Sequence, residues 1–434
     1  MTTRPDASDA ALPTEIPAPV PPTGLPALRR RVNAVLIASQ ILGGLGVAIG
    51  VALSAVLASE VSGTDALAGL ASAAAVAGPA LLAMPLASLM TARGRRAGLV
   101  LAYLVGALGA GVVVLGAVVG SFPLLLAGMV GFGGASSANL AARFAAADLA
   151  EPDRRGRSIS NVVWATTIGA VLGPNIAAPA GKSVVGLGIP ASAGPFLWAS
   201  GVFLLSAVVV AVLLRPDPLL TARALAGAEE SGAADERSLK AGMKAVRASS
   251  RARLALVTVA STHTAMVSIM SMTPVALSHH GADIQLIGLV ISGHIAGMYA
   301  FSPVMGWLAD RVGRLSVIGL AAGLLTGAAL IAGTAGASHA RTAAGLVLLG
   351  LGWSAGLVSG SALLTDSVPQ AARAAVQGLS DFIMNTAAGV GGLVAGLIVA
   401  RAGYGWLNAV GACLLLPMAA LALRGATRRT PKSA

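Results

Sequence analysis

The sequence contains few charged residues for its length. Only 11% of its 434 residues are charged, whereas 56% are hydrophobic and the mean hydropathy is +0.82. A soluble domain carries roughly 25% charged residues. The deficit excludes an ordinary soluble protein and indicates an outer surface that contacts lipid. The apolar runs are long and continuous, which favours membrane helices over a transmembrane β-barrel.

Cysteine and recognisable catalytic patterns are also scarce. Cys413 is the only cysteine, which excludes a disulfide framework and a cysteine-based metal site within one chain. We find no phosphate-binding loop, no Ser/His/Asp grouping in a recognisable context and no paired carboxylates, so the sequence predicts neither an enzyme nor a bound cofactor. The net charge of +12 is not gathered into a soluble basic domain, which argues against a nucleic-acid partner.

Twelve segments are long and apolar enough to cross a bilayer, which requires about 20 residues of helix. The predicted spans are 33–58, 66–91, 98–119, 122–147, 159–181, 194–214, 253–278, 284–308, 315–336, 342–365, 375–400 and 404–423. Residues 1–28 hold seven of the 22 prolines and no apolar run, which predicts a disordered tail. No cleavage site precedes the first span, so we expect that span to be retained.

The distribution of Lys and Arg predicts the orientation of the chain. With both termini placed in the cytoplasm, nearly all of the 29 basic residues fall in cytoplasmic segments, and only Lys182, Arg341 and Arg401 fall in outer loops. Arg143 lies near the inner end of its predicted helix. The sequence therefore predicts a multi-pass protein of the cell membrane whose partner is the lipid bilayer, with no obligate protein partner.

The chain repeats itself after about 218 residues, so that Asp148 aligns with Asp366, Arg155 with Arg373 and Gly173 with Gly391. Two six-helix bundles related by a repeat are the architecture of a secondary transporter that works by alternating access. The predicted organisation is an all-α membrane fold with these parts: a proline-rich tail (1–28), a first bundle (29–214), a cytoplasmic linker (215–252), a second bundle (253–424) and a basic tail (425–434).

The stretch from Gly306 to Arg314, Gly-Trp-Leu-Ala-Asp-Arg-Val-Gly-Arg, resembles the signature loop of the major facilitator superfamily. The first-half copy is degraded, with Ala87 for the first glycine and Thr91 for the aspartate. The resemblance covers about residues 30–424 and implies a cytoplasmic latch made by Asp310, Arg311 and Arg314 with acids such as Asp148 and with helix ends. Ordinary charged turn residues are the alternative. The predicted latch residues are Gly306, Asp310, Arg311, Gly313, Arg314, Asp148, Arg155, Asp366 and Arg373.

Two further features bear on transport. Gly169, Gly173 and Pro174 resemble the first part of the helix 5 motif of drug exporters, without its closing glycine pair; close helix packing explains these glycines equally well. Asp381 lies one or two turns inside helix 11. It is the best candidate carboxylate for proton coupling, and the alternative is a charge at the helix start that faces the cytoplasm.

Methionine and histidine occur at helical spacing on helices 7 and 8. His263, Met266 and Met270 share one helix face, as do His294 and Met298 on the next helix. Thioether sulfur and imidazole suit soft Cu(I). The Met-x3-Met and His-x3-Met pattern resembles the CcoA-like copper importers, a group whose relatives also include riboflavin carriers. Copper, if bound, would be the substrate and not a cofactor.

Three other interpretations of the function stay open. The methionines can serve simple core packing in a proton-coupled exporter of drug-like molecules. The transported molecule can also be a riboflavin-like solute. Finally, the fold can serve a membrane sensor that transports nothing, with the charged linker as its partner site.

Overall fold

A computed structural model describes residues 24–64, 67–226, 239–282 and 284–427, and the regular structure of these residues is helical. The first bundle contains α1 (Leu25–Ser62), α2 (Ala68–Arg93), α3 (Arg95–Val118), α4 (Phe122–Asp148), α5 (Arg155–Val184) and α6 (Gly194–Leu213). Two short helices follow, α7 (Pro218–Ala226) and α8 (Leu239–Ala248). The second bundle contains α9 (Ser250–His279), α10 (Ile284–Tyr299), α11 (Ser302–Val312), α12 (Arg314–Gly333), α13 (His339–Asp366), α14 (Arg373–Ala402), α15 (Tyr404–Cys413) and α16 (Leu416–Thr427).

The residues that the structure describes form 11 helical segments long and apolar enough to cross a membrane, and the bent α5 raises the number to 12. Two predicted spans are each divided into two helices, α10 with α11 and α15 with α16, because a proline stands in the first turn of each second helix. Large side chains such as Leu108 (71% exposed) and Leu393 (74% exposed) form the apolar outer surface. The predicted all-α membrane fold is confirmed.

The boundaries of the predicted parts differ in detail from the helices. Most of the predicted tail, residues 1–23, lies outside the described residues, and α1 begins at Leu25, so the last residues assigned to that tail are helical. The predicted linker includes α7 and α8, while its residues 227–238 also lie outside the described residues. The same holds for 428–434 at the end of the chain.

The internal repeat is visible in how the helices pack. In the first bundle α1 packs against α5 and α3 against α4, and in the second bundle α9 packs against α14 and α12 against α13. Small residues permit the closest approaches: a Cβ added at Gly109 of α3 would lie 2.1 Å from the backbone nitrogen of Phe132 on α4. The apolar cores of the two bundles are largely separate.

The bundles meet at one end of the molecule, where α2 packs against α14 and α5 packs against α11. Both contacts lie beside Arg95, Arg155 and Arg314, the first residues of α3, α5 and α12, and we call this end the arginine-rich end. Among the described residues, α1 and α9 make no comparable contact across the bundles. The structure is therefore a state in which the arginine-rich end is closed.

Candidate functional site

A buried ion pair connects the two bundles. Arg143 of α4 donates a hydrogen bond from Nη2 to Oδ1 of Asp381 on α14 at 2.6 Å. The side chains are 1% and 11% exposed. The guanidinium also lies 4.6 Å from the centre of the Phe144 ring, while its Nε and Nη1 have no hydrogen-bond partner. Removing one charge of a buried pair costs about 3–5 kcal/mol, because the other charge stays buried and uncompensated, so each of these two residues depends on the other at the contact between α4 and α14.

An aromatic cluster lies near the pair. Trp353 of α13 donates from Nε1 to Nδ1 of His263 on α9 at 2.9 Å, which leaves Nε2 as the protonated nitrogen of a neutral imidazole. Tyr299, at the end of α10, packs edge-on against Trp353 with ring centres 5.6 Å apart. The Phe144 ring, which lies against Arg143, packs in the same apolar cluster as Trp353 and Tyr299, so the ion pair and the aromatic cluster belong to one region. Aromatic faces combined with hydrogen-bond donors suit a planar solute that carries acceptors.

The other predicted substrate residues lie mainly in the core of the second bundle. Met266 and Met298 are buried there and Met270 packs against it. The fully buried His294 donates from Nδ1 to the carbonyl oxygen of Leu346 at 2.8 Å, and its Nε2 has no partner. Both α9 and α10 pack more extensively against α13 than against each other. Among the described residues, no three or more His, Cys, Asp or Glu side chains are grouped as a metal site.

At the arginine-rich end, α11 closes on the start of α5. The carboxylate of Asp310 accepts hydrogen bonds from the backbone nitrogens of Gly156 (2.9 Å) and Arg157 (2.8 Å). These N–H groups form the positive end of the α5 dipole, where a carboxylate is stabilised. A Cβ added at Gly306 would lie 2.5 Å from the carbonyl oxygen of Gly156. The two helices therefore approach as closely as their backbones allow.

Arg314 strengthens the same contact. It pairs with Asp310 on its own bundle and donates from Nη2 to the carbonyl oxygen of Pro152 in the first bundle at 2.8 Å. It also lies 3.3 Å from Asp366, which is in turn paired with Arg155 of α5. Two of these contacts, from Arg314 to Pro152 and from Arg155 to Asp366, cross between the bundles, so separating the bundles at this end would break both charge-assisted contacts together.

The contact between α2 and α14 contains a second buried pair. Arg95 binds Asp148 through Nε at 2.8 Å and Nη2 at 3.3 Å, and its Nη2 also donates to Gln377 of α14. The expected pairing of Asp148 with the Asp310–Arg314 loop is wrong, because Arg95 occupies its carboxylate. A Cβ added at Gly378 would lie 2.1 Å from Cβ of Ala87. The first-half copy has Ala87 where the motif has a glycine, and the glycine that allows the close approach is instead Gly378 on the opposing helix.

The linker supplies the acid that the first-half copy lacks. Thr91 stands at the aspartate position, and Asp217, just before α7, accepts a hydrogen bond from the backbone nitrogen of Arg96 at 2.7 Å. Its other oxygen accepts from the backbone nitrogen of Leu219 at 3.0 Å. One carboxylate therefore caps both α3 and α7, as Asp310 caps α5.

The remaining latch residues make fewer contacts across the bundles. The guanidinium of Arg311 lies 5.3 Å from the centre of the Trp307 ring. Gly313 has φ of +94° in the turn between α11 and α12, a conformation that favours glycine. Arg373 begins α14, and its buried Nε has no partner.

The helix 5 motif both bends α5 and packs it. The axis bends by 43° between Gly173 and Asn175, where Pro174 stands. A Cβ added at Gly169 would lie 2.3 Å from the backbone nitrogen of Leu45 on α1. The geometry therefore shows a bend at Pro174 and close packing at Gly169; the resemblance to the exporter motif stays a prediction.

Sequence reasoning missed Arg143 and Arg95, which it counted only as indicators of orientation. A signal was present for Arg143, because an arginine within an apolar span is costly and is by default a functional candidate. No signal identified Trp353 as the partner of His263, since the two residues lie on different helices.

Comparison with known proteins agrees with this architecture. The family model of the Major Facilitator Superfamily matches residues 35–283 and 254–434. The chain is 38% identical over 393 residues to the uncharacterized MFS-type transporter YdeG of Bacillus subtilis, covering 90% of each protein. It is 28% identical over 394 residues to the riboflavin transporter RfnT of Brucella anthropi, covering 91% of this chain and 94% of that protein.

The fold is similar to that of the human organic anion transporter MFSD10, with a TM-score of 0.72 and 20% identity, covering 93% of this chain and 100% of that one. The family match spans both bundles, and the prediction that the chain is not an enzyme is confirmed. The chain belongs to the major facilitator superfamily of membrane transporters.

Proposed function

We propose that this transporter moves a small organic solute across the plasma membrane and couples that movement to protons through Arg143 and Asp381. The buried ion pair between α4 and α14 carries the proposal. A carboxylate within a membrane bundle is costly unless it is paired, and such residues typically mark proton pathways.

Protonation of Asp381 changes the interaction that joins the bundles. As a carboxylate it attracts Arg143, and as a neutral acid it leaves a buried arginine without its counter-ion. The cost of that unpaired charge falls when α4 and α14 separate and water reaches the guanidinium. Proton binding at Asp381 therefore favours separation of the bundles, and proton release favours the state described above.

The aromatic cluster supports an organic substrate. Trp353, Tyr299 and His263 provide flat surfaces and a free imidazole N–H, and two nitrogens of Arg143, Nε and Nη1, have no hydrogen-bond partner. A flavin ring has matching flat faces and carbonyl acceptors. A relative that covers most of this chain is named a riboflavin transporter, which makes riboflavin the first solute to test.

The proposed orientation follows the excess of arginine at one end. The arginine-rich end lies in the cytoplasm under the positive-inside rule, and both termini lie there with it. The structure is then closed to the cytoplasm, with the bundles apart on the outer side.

The test is transport of radiolabelled riboflavin by the full-length protein in liposomes. With an imposed pH gradient, wild type accumulates riboflavin. We expect Asp381→Asn to lose accumulation and retain exchange of riboflavin across a membrane without a gradient, because only net movement needs proton release. Asp153→Asn is the matched control, since its carboxylate is 73% exposed on the surface. Equal accumulation by Asp381→Asn and wild type would refute the coupling role.

One observation favours copper import as a second candidate. The Nδ1 of His294 is fixed by Leu346, and its buried Nε2 has no partner, which is the arrangement of a metal-binding histidine with an oriented ring. Met298 follows one turn later on the same helix. Uptake of radioactive copper under reducing conditions, lost in His294→Ala and retained in the exposed control His279→Ala, would support this candidate. Uptake equal to cells without the protein would exclude it.

A further inference from the structure

A small cavity lies beside Asp381 on the side of the arginine-rich end. It is lined by residues of α2, α4 and α14, with Arg95 of α3 at its edge. Its volume is about 20 Å³, and a site of about 10–15 Å³ or more for water centres can hold one water molecule. Most of the lining is apolar, but Ser137, Gln377 and Asp381 also line it.

The polar side chains around the cavity have hydrogen-bonding atoms without partners, which a bound water molecule can satisfy. Ser137 Oγ and Gln377 Nε2 are buried and make no hydrogen bond. Asp381 uses Oδ1 to accept from Arg143, and no bond to Oδ2 is found among the described residues. A hydroxyl, an amide donor and a carboxylate oxygen are the two to four polar partners that a buried water requires.

We propose that this cavity holds an ordered water through which Asp381 releases its proton toward the arginine-rich end. The inference rests on the proposed coupling role of Asp381. The protonated carboxyl donates its proton to the water, the resulting hydronium passes it to bulk water, and the carboxylate binds Arg143 again. No other reactant is required.

The position of the cavity explains why release is limited to one conformation. The cavity lies along the contact between α2 and α14, and its lining includes Gly378 and Ala87, where the two helices approach closely. In the closed state it holds a single water. Separation of α2 from α14 joins it to solution at that end.

The charges around Asp381 set the direction of proton movement. Arg143 on α4 and Arg95 on α3 both act on Asp381, and α2 contributes only uncharged residues to the cavity. From α9, His263 lies within reach of the charge of Arg143. Asp148 largely offsets the charge of Arg95, whereas Arg143 lacks its counter-ion while Asp381 is protonated. Arg143 therefore repels an excess proton in the cavity, and the proton leaves toward solution once the contact opens.

The test is infrared difference spectroscopy of the purified full-length protein in lipid, recorded between high and low pH. The C=O band of protonated Asp381 is identified by its loss in Asp381→Asn. We expect a water O–H band that titrates with it and shifts in water labelled with ¹⁸O. Ser137→Val, which fills the cavity, should remove the water band and slow deuterium exchange of the carboxyl about tenfold, or about 1.4 kcal/mol.

Ser136→Val is the matched control, because Ser136 does not line the cavity, and it should behave as wild type. Gln377→Leu provides a second variant if Ser137→Val does not fold. A carboxyl band with no water band, or with exchange unchanged in the folded variants, would overturn the water route and leave the coupling role standing. The absence of any band that depends on Asp381 would instead overturn the coupling role, and the water route with it.

Discussion

Substitution of Gly306 by alanine should open the arginine-rich end. The added Cβ would lie 2.5 Å from the carbonyl oxygen of Gly156 and 2.1 Å from Oγ of Ser160. A serine hydroxyl can rotate away, but a backbone carbonyl at the start of a helix cannot. The methyl group is therefore compatible only with a state in which α11 has moved away from α5.

The expected size of the effect follows from the cost of overpacking. Forcing one extra carbon into a well-packed contact costs about 1–3 kcal/mol. The closed state alone bears this cost, so the ratio of open to closed molecules should rise about 5–150-fold. The energy of the open state is unchanged.

The assay measures exposure at the other contact between the bundles. In a Cys413→Ser background, a cysteine at Ala87, which is 5% exposed and faces Gly378, reacts with a maleimide only when α2 and α14 separate. Gly306→Ala should accelerate this reaction by the factor given above, because rigid bundles open both contacts together.

The control is Gly319→Ala on α12, where a Cβ meets nothing within 4 Å; its reactivity should equal that of wild type. Unchanged reactivity in a folded Gly306→Ala protein would refute the reasoning, and it would mean that α5–α11 and α2–α14 open independently.

Three further outcomes are expected. Asp310→Asn, which removes the charge that pairs with Arg314, should raise the same reactivity, since a hydrogen bond to a charged group contributes about 1.5–3 kcal/mol; no rise would contradict the latch. Arg95→Leu leaves Asp148 buried and unpaired and should lower the free energy of unfolding by about 3–5 kcal/mol, measured by thermal unfolding in detergent. Asp217→Ala should cost about 0.5–2 kcal/mol in the same measurement, and an unchanged melting temperature would show that its caps contribute nothing.

The sequence was sufficient to predict the spans and the repeat, because lipid imposes a strong pattern on any helix that crosses it. The twelve-helix, two-bundle architecture and the superfamily are confirmed. The predicted ends of the spans agree less well with the helix ends in the structure. A proline in the first turn of α11 or α16 starts a new helix without interrupting the apolar run that the prediction used.

The sequence does not predict which residues of one bundle contact which residues of the other. Asp381 had two readings, and the choice depended on which side of α14 faces Arg143, 238 residues earlier in the chain. Likewise, helical spacing placed Met266 and Met270 on one face of α9, yet it did not reveal which helix that face meets. In the sequence Ala87 departs from the motif, and only the structure shows that the residue opposite it is a glycine, Gly378.

The contacts of Asp217 indicate where the chain can be cut between the two bundles. Because Asp217 bonds to Arg96 and α7 packs against α4, the first unit extends to Ala226, beyond the end of α6. Since α8 packs against α9 and α14, the second unit begins by Leu239. Fragments 1–226 and 239–434 made as separate polypeptides should therefore reassemble into a working transporter, whereas a first fragment ending at Leu214 would leave the start of α3 uncapped and should assemble poorly.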